Sequence, residues 1–108
     1  MKRIGVTVTI DRPKGYIDSF DNVYPINYGF VEGIVANDGE WQDAYILNEQ
    51  EIIGNTFNGE VIAIIIREID VEDKWVVAKK GTTYTLDEIK SQTNFIEQFF
   101  DSNIMLLD

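Results

Sequence analysis

Two residue types are missing from this 108-residue chain: it has no cysteine and no histidine. The first absence excludes disulfides and thiol nucleophiles, and the second excludes imidazole general bases. Together they exclude nearly every zinc site. A metal held here has to be a hard, oxygen-seeking ion such as Mg²⁺, Mn²⁺ or Ca²⁺. The acids do not have the alternating ligand spacing and central glycine of an EF-hand calcium loop. Bases are scarce as well: 9 Lys and Arg stand against 19 Asp and Glu, for a net charge of −10. No lysine or arginine occurs from Tyr16 to Val23. Such a surface repels phosphate backbones and argues against DNA or RNA as a partner. A small phosphate substrate is compatible with it when metal ions invert the local field. Long apolar runs are also absent. The longest, Val61-Ile62-Ala63-Ile64-Ile65-Ile66, is strand-sized and far below the ~20 residues that span a bilayer. The N-terminus enters a polar/apolar alternation at once, without a signal-peptide core. The expectation is a cytoplasmic protein with no membrane contact.

What is present reads as one domain over residues 1–108. Ile4, Val6, Val8 and Ile10 alternate with small or polar residues as a half-buried strand does. Asp11-Arg12-Pro13-Lys14-Gly15 ends it. Residues 23–34 are aromatic and β-branched and read as one or two strands around Gly29 and Gly33. Short strands are expected over 44–47 and 75–78, and a stronger one over 60–67. Gly54-Asn55 and Asn58-Gly59 read as turns on either side of Thr56-Phe57. The only good helix starts at Thr85, where Thr85-x-x-Glu88 is a capping box. Leu86, Ile89, Ile96, Phe99 and Phe100 fall mainly on one of its faces, with Thr93 in the gap. The apolar tail Ile104-Met105-Leu106-Leu107 reads as packing on the rest of the chain or on a neighbouring subunit. Short strands followed by one helix give a mainly β (α+β) fold, a small closed β-barrel with a packed helix.

The densest chemistry lies in Asp38-Gly39-Glu40-Trp41-Gln42-Asp43. Like charges ~4 Å apart repel by roughly 4 kcal/mol at an effective dielectric of 20. These acids therefore either fan out into water on a loop tip or face one another across a cation. The aromatic residues Tyr24, Tyr28, Phe30, Trp41 and Tyr45 suggest a base-stacking platform for single strands, but such platforms come with a basic groove that the charge of this chain does not supply.

The stretch Tyr24-Pro25-Ile26-Asn27-Tyr28-Gly29, followed by Asp38-Gly39 and Asp43, resembles the soluble inorganic pyrophosphatases of family I, whose signature is Asp-Gly-Asp-Pro-x-Asp. Asp70-Val71-Glu72-Asp73-Lys74-Trp75 resembles the segment that carries two further metal-binding aspartates. Phe95-Ile96-Glu97-Gln98-Phe99 is similar to the aromatic-acidic stretch of the late helix. The resemblance implies a closed five-stranded oligonucleotide-binding-like barrel with a C-terminal helix. It also implies Mg²⁺-dependent hydrolysis of inorganic diphosphate, or a related small phosphoanhydride, by a metal-activated water. On this resemblance Asp38, Glu40, Asp43, Asp70 and Asp73 are metal ligands for Mg²⁺, with Mn²⁺ as the substitute. Glu40 and Asp43 are the catalytic carboxylates, and Tyr24, Tyr28 and Lys74 bind substrate. A homo-oligomer is the assembly typical of the family.

The chain departs from the pattern at several places. Glu40 replaces an aspartate, Trp41 replaces the proline, and Asp70 and Asp73 stand closer together than usual, with Glu72 as the alternative to Asp70. Thr9 falls where a glutamate is expected, and Phe99-Phe100 occupy the place of a tyrosine-lysine pair. Arg12, Lys14, Arg67 and Lys74 are the substitutes for the missing bases. These departures leave a second expectation open, a catalytically weak or inactive module that binds a divalent metal or a protein partner.

Overall fold

The structure is a computed structural model that describes residues 2–48, 54–69 and 72–108. Strand β1 (Gly5–Arg12) pairs antiparallel with β2 (Asn27–Val35), and β2 with β3 (Trp41–Ile46). The long strand β4 (Thr56–Arg67) pairs antiparallel with β5 (Lys74–Ala78), and β5 returns parallel to β3. Pairing of β1 with β4, from Gly5 opposite Glu60 to Thr9 opposite Thr56, closes the ring. Five strands thus make the closed, oligonucleotide-binding-like barrel expected from the resemblance. Closure removes the unpaired edges that an open sheet would expose.

Helix α1 (Leu86–Glu97) begins with the expected capping box: Glu88 N–H donates to Thr85 Oγ1 at 3.1 Å, and Thr85 N–H donates to Glu88 Oε1 at 2.9 Å. Two of the helix's orphan donors are thereby satisfied, with Asp87 and Glu88 adding negative charge to the first turn. Thr85→Ala is expected to lower stability by about 1 kcal/mol, read from the urea midpoint.

The buried stripe of the helix is Ile89, Thr93 and Glu97. Leu86 is exposed, and Phe99 and Phe100 lie beyond the C-cap at Gln98. The apolar face expected from the sequence is therefore narrower and is completed by a charge. The tail forms β6 (Ser102–Leu106), which pairs with the second half of β4, from Ser102 opposite Arg67 to Leu106 opposite Ala63. It packs on the chain's own barrel.

Asn58-Gly59 is a strand segment and not a turn. Thr7 and Val6 pair with Asn58 and Gly59, and Thr7 Oγ1 donates to Asn58 Oδ1 at 2.6 Å. The glycine serves close packing: a Cβ there would sit 2.5 Å from the Ala78 carbonyl oxygen. Long-range pairing with β1 overrides the local turn preference.

Two apolar clusters organise the interior. One draws Val8, Val31, Ala44, Ile46, Val61 and Val77 from all five barrel strands and contains no helix residue. The other lies where the helix meets the barrel and joins Ile62, Ile65, Val76 and Ile89 to three tyrosines, Tyr24, Tyr28 and Tyr45. Those three phenols line a surface cavity. Among the described residues, no helix is long and apolar enough to cross a membrane.

Candidate functional site

The turn from β2 to β3 carries the first acids. Gly39 N–H donates to the Ala36 carbonyl, and Asp38 Oδ1 accepts from Glu40 N–H at 3.0 Å. The turn needs a positive φ at its centre, and Gly39 supplies it at 84°. Asp38 and Glu40 are exposed on this turn, while Asp43, inside β3 opposite Phe30, is half-buried. Asp38, Glu40, Asp43 and Glu72 line one open cavity of about 610 Å³, with Phe30 and Trp41 as its apolar wall. Trp41 packs on Phe30 with ring centres 5.5 Å apart.

Of the acids expected to hold metal, the structure therefore brings three to one cavity. Asp73 lies apart from it, and its backbone carbonyl accepts from Gln42 Nε2 at 2.7 Å. Glu72 takes the place beside Asp43. Asp70 lies outside the described residues.

Lys74 joins this acidic cavity to a second one. Its buried ammonium donates to Asp43 Oδ2 at 2.6 Å, to Tyr28 Oη at 2.9 Å, and to Glu72 Oε1. All three ammonium donors are engaged. The second cavity measures about 570 Å³ and is walled by Arg12, Tyr24, Tyr28, Tyr45, Arg67 and Lys74, with Asp18, Phe20, Phe99 and Phe100 among its other residues. Arg12 donates to Tyr24 Oη at 2.5 Å and lies 5.5–5.7 Å from the ring centres of Tyr16, Tyr24 and Tyr28. Arg67 is held by Glu97, through Nη2 to Oε2 at 2.6 Å and Nε to Oε1 at 3.1 Å, and Tyr45 Oη donates to the same carboxylate at 2.5 Å. Three of the four substitute bases, Arg12, Arg67 and Lys74, thus line a single cavity, and Lys14 is not among its residues. Glu97 is the residue the sequence reading missed as a partner; an acid four residues after Thr93 on the buried helix face was its one signal.

Electrostatics follow from burial and pairing. Burial raises the Tyr24, Tyr28 and Tyr45 phenols above their usual range, with nearby Asp43 and Glu97 adding to the rise at Tyr28 and Tyr45 respectively. All three stay protonated and can donate. Burial pushes the Asp43 carboxyl upward, but hydrogen bonds from Glu72 and Lys74 outweigh it and leave the group below its usual 3.8. Glu72 moves the other way. Its hydrogen bond to Asp43 comes first among the causes and burial second, and both raise it above 4.5. Of the two, Asp43 is therefore the more readily ionised.

This pair gives a pH dependence to the metal-free protein. Glu72, raised in the fold, contributes stability that is fully present below its unfolded value and is lost as pH rises through the folded one. Asp43, lowered in the fold, contributes stability that is present above its unfolded value and is lost as pH falls through the folded one. The melting temperature in chelator is expected to decline from weakly acid pH towards neutrality. Glu72→Gln, which cannot ionise, should flatten that decline in a thermal melt series.

The donor set fits a hard divalent cation. Every donor is a carboxylate oxygen, and Asp43 and Glu72 converge on the same Lys74 ammonium. Among the described residues, no three acids converge at one point; Asp43 and Glu72 meet at Lys74, and Asp38 and Glu40 line the same cavity.

The architecture has known counterparts. The inorganic pyrophosphatase of Helicobacter pylori superposes with a TM-score of 0.63 at 17% identity, over 94% of this chain and 81% of that one. The enzyme of Ehrlichia chaffeensis gives 0.62 at 14% identity, over 94% and 83%. That of Coxiella burnetii gives 0.58 at 15%, over 96% and 84%. The chain has the inorganic pyrophosphatase fold. No protein-family model and no curated protein sequence matches it. With so little identity to the pyrophosphatase structures, the chemistry of the site has to be read from the residues of this chain.

Proposed function

We propose that the chain is a cytoplasmic, Mg²⁺-dependent enzyme that hydrolyses inorganic diphosphate, or a related small phosphoanhydride, to orthophosphate. The observation that carries this reading is the contact of an acidic cavity with a cationic, phenol-lined one through Lys74 and Asp43. Hydrolysis of a phosphoanhydride needs an activated water and neutralisation of the leaving phosphate's charge. Asp43 and Glu72, with Asp38 and Glu40 opposite, would hold the cation; Asp70 is proposed from the sequence alone. When bound, such a cation lowers the pKa of a water and neutralises phosphoryl charge.

The chain's own groups supply the rest. Lys74 stands between the cavities, so its ammonium can turn from the carboxylates to a phosphoryl oxygen. Arg12 offers further N–H donors on the same side, and Tyr24 and Tyr28 offer neutral hydroxyls. Asp43 and Glu40 are the carboxylates that would take a proton from the attacking water. Lys74 as the hinge of the site also accounts for its burial, which a solvated surface lysine would not require.

The second reading, a divalent-metal-binding module without turnover, is favoured by one observation: all three Lys74 donors are engaged within the protein. Incubation with diphosphate and Mg²⁺ separates the two. Orthophosphate release stopped by chelator supports the enzyme. A Mg²⁺-dependent rise in melting temperature without release supports the module, with a ligand at ~100 times its dissociation constant adding about 2.7 kcal/mol.

A further inference from the structure

The cationic cavity has more to it than a bare diphosphate uses. Its inner wall is polar: Lys74 and Arg12 with the hydroxyls of Tyr24 and Tyr28. Its outer part is aromatic, with Phe20 84% exposed, Phe99 65% and Phe100 42%. One exposed phenylalanine is ordinary on a protein surface, whereas three on one cavity are not. Phe100 is also held in place, because the Arg67 guanidinium, itself fixed by Glu97, lies 3.8 Å from its ring centre. A volume of about 570 Å³ falls in the range that encloses drug-sized organic molecules. Asp18 lines the same cavity, and its carboxylate accepts from Phe20 N–H and from both the backbone and side chain of Asn22. A negative side chain opposes an inorganic anion, yet it suits a ligand whose other half carries hydroxyl or amino donors.

We infer that this cavity binds an organic diphosphate with a flat heteroaromatic group, of which a nucleoside diphosphate is the simplest representative, with the phosphates at Arg12 and Lys74 and the ring against Phe20 and the Phe99–Phe100 pair. The inference rests on the reading of the cavity as a phosphate site, and extends it from the anionic head to the organic half of the ligand. Inorganic diphosphate occupies only the inner part. The aromatic rim supplies stacking that is tolerant of ring identity, since every base offers a π-face.

The test compares two non-hydrolysable ligands with the same P–C–P head, methylenediphosphonate and the α,β-methylene analogue of adenosine diphosphate, by calorimetric titration in Mg²⁺. The nucleoside form is expected to bind about tenfold more tightly than the bare head. The double substitution Phe20→Ala, Phe99→Ala, at exposed positions that the fold does not depend on, should remove that advantage and leave the affinity for methylenediphosphonate unchanged. Equal affinity of the two ligands for the wild type, or an advantage that survives the double substitution, overturns the inference. Binding of the bare head with exclusion of the nucleoside form overturns it too, while sparing the diphosphate reading. If neither ligand binds, both fall. A nucleoside advantage lost on the double substitution, in a protein that releases no orthophosphate from diphosphate, upholds the inference and removes the proposed activity.

Discussion

Replacing Glu97 by alanine is expected to lower the stability of the protein by about 3–5 kcal/mol. Glu97 and Arg67 leave only 7% and 5% of their side chains exposed, so neither charge has water to fall back on. Two bonds of 2.6 and 3.1 Å make the pair bidentate, and Tyr45 adds a third bond to the same carboxylate. Removing the acid strands a guanidinium and a phenol in the interior at once. A change of that size is a large share of the 5–15 kcal/mol that holds a typical domain together. Tyr45→Phe, which deletes one bond to the carboxylate and keeps the ring, should lower stability by only about 1.5–3 kcal/mol. Urea denaturation of the two variants reads the difference directly. The consequence for the site is positional, because the pair ties the last turn of α1 to the end of β4 and so places Phe99 and Phe100 at the cavity.

Asp43→Asn is expected to lower orthophosphate release by on the order of 100- to 1,000-fold, the usual effect of deleting one charge-stabilising group from an active site. Asp43 lines the acidic cavity and accepts from Lys74 through an ion pair of 2.6 Å, with Glu72 as the second acid on the same ammonium. Asparagine retains the shape and can still accept from the ammonium. It lacks the negative charge that a divalent cation and a proton acceptor both require. Its melting temperature in chelator should also fall, because the buried Lys74 ammonium loses one of its two carboxylate partners, so turnover is read well below that temperature. A steady-state phosphate assay paired with a thermal melt of the same sample reads both. Turnover retained by the folded Asp43→Asn protein, measured below its melting temperature, would assign Asp43 a structural role instead.

Much of the fold is legible in the sequence because it is encoded locally. The alternation around Val6 and Val8, the continuous apolar run of β4 and the Thr85–Glu88 capping box each specify their element within a few residues. What the sequence hides depends on distant partners. Asn58-Gly59 has the composition of a turn, and only β1 across from it and the Ala78 carbonyl behind it make it strand. Glu97 reads as a helix-end acid until Arg67 and Tyr45 arrive from β4 and β3. The site divides along the same line. The acids of the β2–β3 turn are visible as a motif, whereas the cationic cavity is assembled from Arg12, Arg67 and Lys74, each on a different strand.

The most direct test of the proposed activity is a phosphorus NMR time course of the wild-type protein with inorganic diphosphate and Mg²⁺. The account predicts that the diphosphate resonance gives way to a single orthophosphate resonance, and that chelator stops the conversion. An unchanged diphosphate resonance in Mg²⁺, and again in Mn²⁺, would contradict it.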